Sequence, residues 1–195
     1  MGAGLNIAQG VEKVEPDTTC FAFVGDSTFF ASAITGVVNA VYNQANMVLV
    51  VLDNSTTAMT GHQPHPGTGR TVMGEIVQKI NIEQVLRGIG VTEIETINPL
   101  ELEASVSCVK RMAEKSGVRA IIFKAPCIAV TKPKAPLHVD QDSCIGCKKC
   151  IRDLGCPAIV MNDGKICIDA SMCTGCHLCS QVCPVCAIAG GDDYE

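Results

Sequence analysis

The sequence predicts two domains in series: an α/β domain whose strands form a parallel sheet, then a small α+β domain organised around cysteines. Three observations point there. Short apolar runs alternate with helical patterns through residues 1–130, and such alternation argues for a parallel sheet with helices on its faces. A polar, proline-spaced linker occupies residues 131–137, and residues 138–195 hold eight cysteines in two matched runs.

Each element has its own signal. Thr19 to Val24 is short and apolar, and predicts the first strand. Gly25-Asp26 ends it and opens a helical pattern that places Phe30, Ile34, Val37, Val38 and Val41 on one face. Met47 to Leu52 is continuously apolar and stops at Asp53-Asn54, which suits a strand buried on both sides. A helix over about Ile82 to Gly88 leads into a strand at Val91–Ile97. Asn98-Pro99-Leu100-Glu101 reads as an N-cap, a proline at the first helical position and a capping-box glutamate. That helix should stop near Gly117, and Ala120 to Phe123 supplies the last strand of the sheet.

Thr131-Lys132-Pro133-Lys134-Ala135-Pro136 is the core of the linker, because proline holds the preceding residue extended. The segment beyond it is about the size at which a chain struggles to build a sufficient core, a shortage that bound metal relieves. The first cysteine run is Cys144, Cys147, Cys150 and Cys156, followed by Pro157; the second is Cys173, Cys176, Cys179 and Cys183, followed by Pro184. Three closely spaced thiolates and a distant Cys-Pro are the ligand set of a [4Fe–4S] cluster. In two-cluster ferredoxins the distant cysteine ligates the other cluster. Cys144, Cys147, Cys150 and Cys183 are therefore assigned to one cluster, and Cys173, Cys176, Cys179 and Cys156 to the second. The gap before Cys156 is longer than the usual three residues, which lengthens a turn without removing the ligand. Zinc sites use separated cysteine pairs instead, and a disulfide framework needs an oxidising compartment. Cys20, Cys108, Cys127, Cys167 and Cys186 are left over, and read as small buried hydrophobes.

Composition narrows the function. A hydrophobic content of 47% with 18% charged residues fits a globular protein with a substantial core. The net charge is -5, and residues 138–195 carry eight acidic against four basic side chains. Such acidity argues against a nucleic-acid surface. Met47–Leu52 is far too short to cross a bilayer, and no export signal precedes it. Thirteen cysteines without such a signal predict a cytoplasmic protein that makes no membrane contact.

In a parallel sheet, ligands bind beyond the carboxyl ends of the strands. Gly25-Asp26-Ser27 and Asp53-Asn54-Ser55-Thr56 both lie there. Glycine lets backbone approach a phosphate, and a helix starting near Ser27 would offer N–H groups and a positive dipole end. Asp26 and Asn54 carry hard oxygen atoms of the kind that hold Mg²⁺ beside a diphosphate. Gly-Asp followed 28 residues later by asparagine resembles the diphosphate–magnesium motif of thiamine-diphosphate enzymes. That resemblance implies Asp26 and Asn54 side chains and the Thr56 carbonyl as metal ligands. Thr57 to Gly67 holds His62 and His65 among prolines and glycines, a chemically loaded loop at a strand end. The alternative is a rigid surface loop with two solvated histidines.

Gly25-Asp26-Ser27-Thr28-Phe29-Phe30, Leu52-Asp53-Asn54 through Gly67 and the two-cluster tail, in that order, resemble the C-terminal part of the indolepyruvate:ferredoxin oxidoreductase alpha-subunit family. The resemblance implies a thiamine-diphosphate-binding α/β domain followed by a two-[4Fe–4S] ferredoxin-like domain. It also implies an oxygen-sensitive alpha/beta assembly that decarboxylates aryl pyruvates oxidatively to aryl-acetyl-CoA and reduces an external ferredoxin. His62 and His65 become candidates for proton transfer or substrate contact. The family's subunit is far longer, so the chain is expected to be a fragment or a split product, and inactive alone. Its partners would be the N-terminal domains, with the glutamate that activates thiamine, and the beta subunit. The alternatives are an oxidoreductase of pyruvate or a branched-chain oxo acid, or a non-catalytic ferredoxin-type carrier with a degenerate first domain.

Overall fold

The structure, a computed structural model, describes residues 1–132 and 134–190. Pro133 of the expected linker and residues 191–195 of the expected second domain lie outside the described residues. The chain divides into two compact units, with the break after Val130.

The first unit is a four-stranded parallel sheet in the order β1-β2-β4-β3, with β1 Cys20–Gly25, β2 Met47–Asp53, β3 Glu93–Ile97 and β4 Val118–Lys124. Residues 47–51 of β2 are all buried, as its uninterrupted apolar run predicts for a central strand. On one face Leu49, Val51, Ala22 and Ile122 pack against α1 (Ala3–Val14), α3 (Ile34–Tyr42) and α4 (Ile82–Ile89). On the other, Val48, Val50 and Ile121 meet Cys108 and Met112 of α5 (Leu102–Glu114).

Local structure departs from the sequence expectation in four places. Helix α1 lies where none is expected, because Gly4 and Gly10 depress its intrinsic propensity. Burial of Leu5 and Ala8 stabilises it, and Gln9 donates to the Gly36 carbonyl across the helix contact. The helix after β1 begins as α2 (Asp26–Thr28), widens into a π-helical turn over Phe29–Ala33, and resumes as α3. That wide turn shifts the buried face to Phe29, Ala33, Val37 and Ala40, leaving Phe30, Ile34 and Val41 partly buried and Val38 exposed. The strand expected at Val91–Ile97 starts at Glu93. Finally, Asn98 does not cap α5: its side chain accepts from the Leu100 amide and its carbonyl from that of Glu101. These bonds close a separate turn, and the helix starts at Leu102.

The second unit is α+β. Strand β5 (Leu137–Val139) pairs antiparallel with β8 (Ile188–Gly190), and β6 (Ile159–Asn162) with β7 (Lys165–Ile168). Two short helices, α6 (Lys149–Leu154) and α7 (Leu178–Val182), lie within the cysteine runs, each carrying the third cysteine and ending before the fourth. Among the described residues no helix is long and apolar enough to cross a membrane.

Candidate diphosphate site and thiol groups

Parallel pairing of β1 with β2 sets Gly25 opposite Leu52, so both strands end on the same rim. Asp26 follows at once and is only 2% exposed. Its Oδ1 accepts from the Ser27 amide at 2.7 Å and its Oδ2 from the Ser55 amide at 2.8 Å. Burial raises the Asp26 carboxyl above the ordinary carboxylate range, although the Ser27 amide and His65 pull the other way. Ser55 adopts a left-handed φ of 62°, and its amide also reaches Asp53 Oδ1 at 3.1 Å. Two carboxylates thus hold a non-glycine residue in a conformation it would otherwise avoid. The Asn54 side-chain oxygen accepts from the Thr56 amide at 3.2 Å, and Thr56 is itself buried.

The two histidines part company. His65 has a side chain only 6% exposed, and its Nε2 lies 3.2 Å from Asp26 Oδ2. The contact lacks hydrogen-bond alignment, which leaves this buried nitrogen without a hydrogen-bond partner among the described residues. The Gly67 amide donates to His65 Nδ1 at 3.2 Å, so Nε2 is the nitrogen that carries the hydrogen. His62 is exposed, at a left-handed φ of 65°. A cavity of about 270 Å³ opens beside His65, lined also by Asp53, Lys79, Asn81, Glu83 and Lys124. Sequence reasoning passed over Asp53 as a positioning residue and both lysines, which lie in three separate segments with no motif to link them.

The second unit repeats a backbone pattern. Gly146 and Gly175 have φ of 66° and 67°, and Lys148 and His177 have 59° and 61°. Each run is introduced by an aspartate whose carbonyl accepts from the first cysteine's amide: Asp140 for Cys144, Asp169 for Cys173. The closing bonds run crosswise. The Asp140 amide reaches the Ala187 carbonyl, beyond Cys183-Pro184, and the Asp169 amide reaches Ala158, beyond Cys156-Pro157, both at 2.8 Å.

Thiols gather along the same diagonal. Cys144, Cys147, Cys150 and Cys183 line one small cavity with Pro184 and Ile188. Burial, and then the charges of Cys147 and Cys183, raise the Cys150 thiol. Burial with Cys176, Cys173 and Cys156 pushes Cys179 up to about 11. No group of three or more His, Cys, Asp or Glu side chains among the described residues is set to hold a single metal ion. The two additional residues before Cys156 end α6 at Gly155, with φ of 58°. Of the remaining cysteines Cys108 is buried, while Cys20, Cys127 and Cys167 are half-buried. Cys186 is exposed, against the buried reading, on a turn after Cys183-Pro184 where its φ is 51°.

A family model described as the C-terminal TPP binding domain of thiamine pyrophosphate enzymes matches residues 1–123. The chain belongs to this family. The match includes α1, the strand-end aspartate and all of the four-stranded sheet but Lys124. Indolepyruvate oxidoreductase subunit IorA of Methanothermobacter thermautotrophicus is 46% identical over 169 residues, 86% of this chain and 27% of its own length. The subunit of that name from Archaeoglobus fulgidus is 39% identical over 194 residues, 96% of this chain and 31% of its own length. The chain therefore spans under a third of these relatives. Among solved structures, the 2-oxoglutarate:ferredoxin oxidoreductase of Magnetococcus marinus, with 2-oxoglutarate, coenzyme A and succinyl-CoA bound, aligns with a TM-score of 0.60. The alignment covers 67% of this chain and 47% of that one at 20% identity, a likeness of fold.

Proposed function

We propose that this chain is the diphosphate-binding part and the electron outlet of a 2-oxoacid:ferredoxin oxidoreductase. Its reaction would convert aryl pyruvates, indolepyruvate among them, to aryl-acetyl-CoA and carbon dioxide. One observation carries the reading: a thiamine-family sheet and eight crosswise-grouped thiols occupy the same chain. Oxidative decarboxylation releases two electrons, and two one-electron centres match that count.

The strand-end residues fit a magnesium diphosphate. Gly25 has an ordinary φ of -76°, and a Cβ added there meets nothing within 4 Å. Neither its backbone nor its neighbours require glycine, so the space is open to a group from outside the chain. Asp26, Asn54 and the Thr56 carbonyl would hold Mg²⁺, with Gly25 and Ser27 backbone beside the diphosphate. Thiamine diphosphate, when bound, supplies the carbon nucleophile and the electron sink. Ser55 fixes the Asp26 carboxylate through its amide, and His65 keeps a proton on Nε2 next to it. His62, at the exposed end of the loop, would meet substrate or a partner domain rather than Asp26.

In the second unit, Cys144, Cys147, Cys150 and Cys183 would hold one [4Fe–4S] cluster, and Cys173, Cys176, Cys179 and Cys156 the other. The Leu137 amide lies 3.5 Å from Cys173 Sγ and the Ala187 amide 3.3 Å from Cys183 Sγ. Amides at ligand sulfur stabilise added negative charge and so raise a cluster's potential.

The test is an anaerobic assembly of the full-length subunit with its partner subunit, followed by ferredoxin reduction. Coenzyme-A-dependent reduction with indolepyruvate preferred over pyruvate is expected. Preference for pyruvate would move the reading to that substrate class. Intact clusters with no response to any oxo acid would leave an electron carrier.

A further inference from the structure

The two cysteine runs share a backbone but not a surface. Matched through their left-handed residues, Lys148, Lys149 and Arg152 of the first run correspond to His177, Leu178 and Gln181 of the second. From Cys144 to Cys156 there are three basic side chains and one acidic one, Asp153; from Cys173 to Cys183 there are none of either sign. Residues 138–195 hold four basic side chains in all, and three of them fall within positions 148–152. In an otherwise acidic segment that is a concentrated patch.

Access differs in the same direction. The second run is covered: Gly175 is buried, and a Cβ there would come within 2.6 Å of Lys134 Cβ and 2.7 Å of the Ala135 carbonyl. Cys173 and Cys176 are half-buried and Cys179 buried. On the first run Cys147 is exposed, Ile145 is 66% exposed, and Lys148, Lys149 and Arg152 are all exposed. Arg152 Nη2 donates to the Cys147 carbonyl at 3.2 Å, which ties the patch to that ligand. Ile145, Cys147, Lys148 and Val185 all line the cavity enclosed by the first thiol group. No ion pair among the described residues engages these three cations.

We propose that the face of the first run, with Cys147 and Ile145 at its centre and Lys148, Lys149 and Arg152 around them, is the dock for an acidic iron–sulfur carrier protein. The inference rests on the proposed function and adds which thiol group delivers electrons and to what kind of surface. In each docking event one electron would leave the reduced cluster that Cys144, Cys147, Cys150 and Cys183 would hold. The oxidised cluster of the carrier gains it, and no atom is transferred. Two such events clear the two electrons of one oxo acid. A basic patch beside exposed apolar surface steers an acidic partner and sets its orientation.

The experiment uses the assembled full-length enzyme and a small acidic ferredoxin with two [4Fe–4S] clusters, with methyl viologen as a dye that needs no dock. Lys148→Glu combined with Lys149→Glu should raise the ferredoxin Kd about tenfold at low ionic strength, and the gap should narrow as salt screens the charges. Arg152 stays, since it holds the Cys147 carbonyl. Iron content and oxo-acid-dependent viologen reduction should match the parent enzyme, and Gln181→Glu on the second run should leave the Kd unchanged. An unaltered Kd in the double variant overturns the dock, as does an equal loss with Gln181→Glu. Should the double variant lose iron, the parent decides: a ferredoxin Kd insensitive to salt overturns the proposal and a steep dependence supports it. A parent enzyme that reduces neither viologen nor ferredoxin sinks the proposed function and the dock with it.

Discussion

At Asp26 a carboxylate sits where water barely reaches it, held by two backbone amides and faced by a buried imidazole. The metal binding proposed for Asp26 would need its ionised form, and burial raises the pH at which that form appears. The sign follows directly: below its raised value Asp26 is neutral, and affinity is lost as pH falls through that value. Magnesium-dependent binding of thiamine diphosphate to the assembled enzyme should therefore weaken at a higher pH than for an ordinary aspartate, as titration calorimetry across the acid range would reveal. Asp26→Ala should reduce that binding at every pH while iron content stays constant; equal affinity would reduce Asp26 to a turn residue. The histidines separate in the same way. His65→Ala removes a buried ring and leaves the Gly67 amide without its acceptor, a loss of about 1–3 kcal/mol in denaturant unfolding. His62→Ala, on the exposed part of the loop, should change stability by no more than about 0.5 kcal/mol.

Elements differ in how far their sequences reveal them. Strand β2 was readable because six consecutive apolar residues with a polar stop fit a buried central strand and little else. The helix that follows β1 was readable in place but not in phase, since one π-helical turn rotates every later side chain and leaves no periodic trace. Asn98-Pro99-Leu100-Glu101 satisfied a local capping pattern that a four-residue turn also satisfies. The strand-end aspartate and asparagine were legible as a spaced pair, whereas the approach of His65 to Asp26 depends on the path of a long loop. The left-handed glycines of the two runs allow a matched test. Gly175→Ala meets both an unfavourable φ and the Ala135 carbonyl, so it should displace residues 134–137 and lower iron from about eight to about four per chain. Gly146→Ala has the same φ but open space around it. It should cost only about 1 kcal/mol and keep both clusters, by iron and sulfide analysis.

On the scale of the whole molecule, the chain joins a sheet with two distinct hydrophobic faces to a unit made mostly of loops around thiols. The crosswise grouping yields the most distinctive test of the second unit. Cys156→Ala should spare the cluster of its own run and damage the one built on Cys173, Cys176 and Cys179, seen as the loss of one of two reduced-cluster EPR signals. Two zinc ions without sulfide in the reconstituted protein would rule out the cluster reading.

Asp140 closes onto Ala187 and Asp169 onto Ala158, so each half of this unit is finished by a strand from the other. A peptide holding only the first half would carry three grouped thiols and a fourth, Cys156, directed toward a neighbour it lacks. Two copies of such a peptide could complete each other by exchange, as swapped dimers do. A half-length gene would then have encoded a working pair before any fusion. Joining the copies end to end would have converted a concentration-dependent encounter into a closure within one chain.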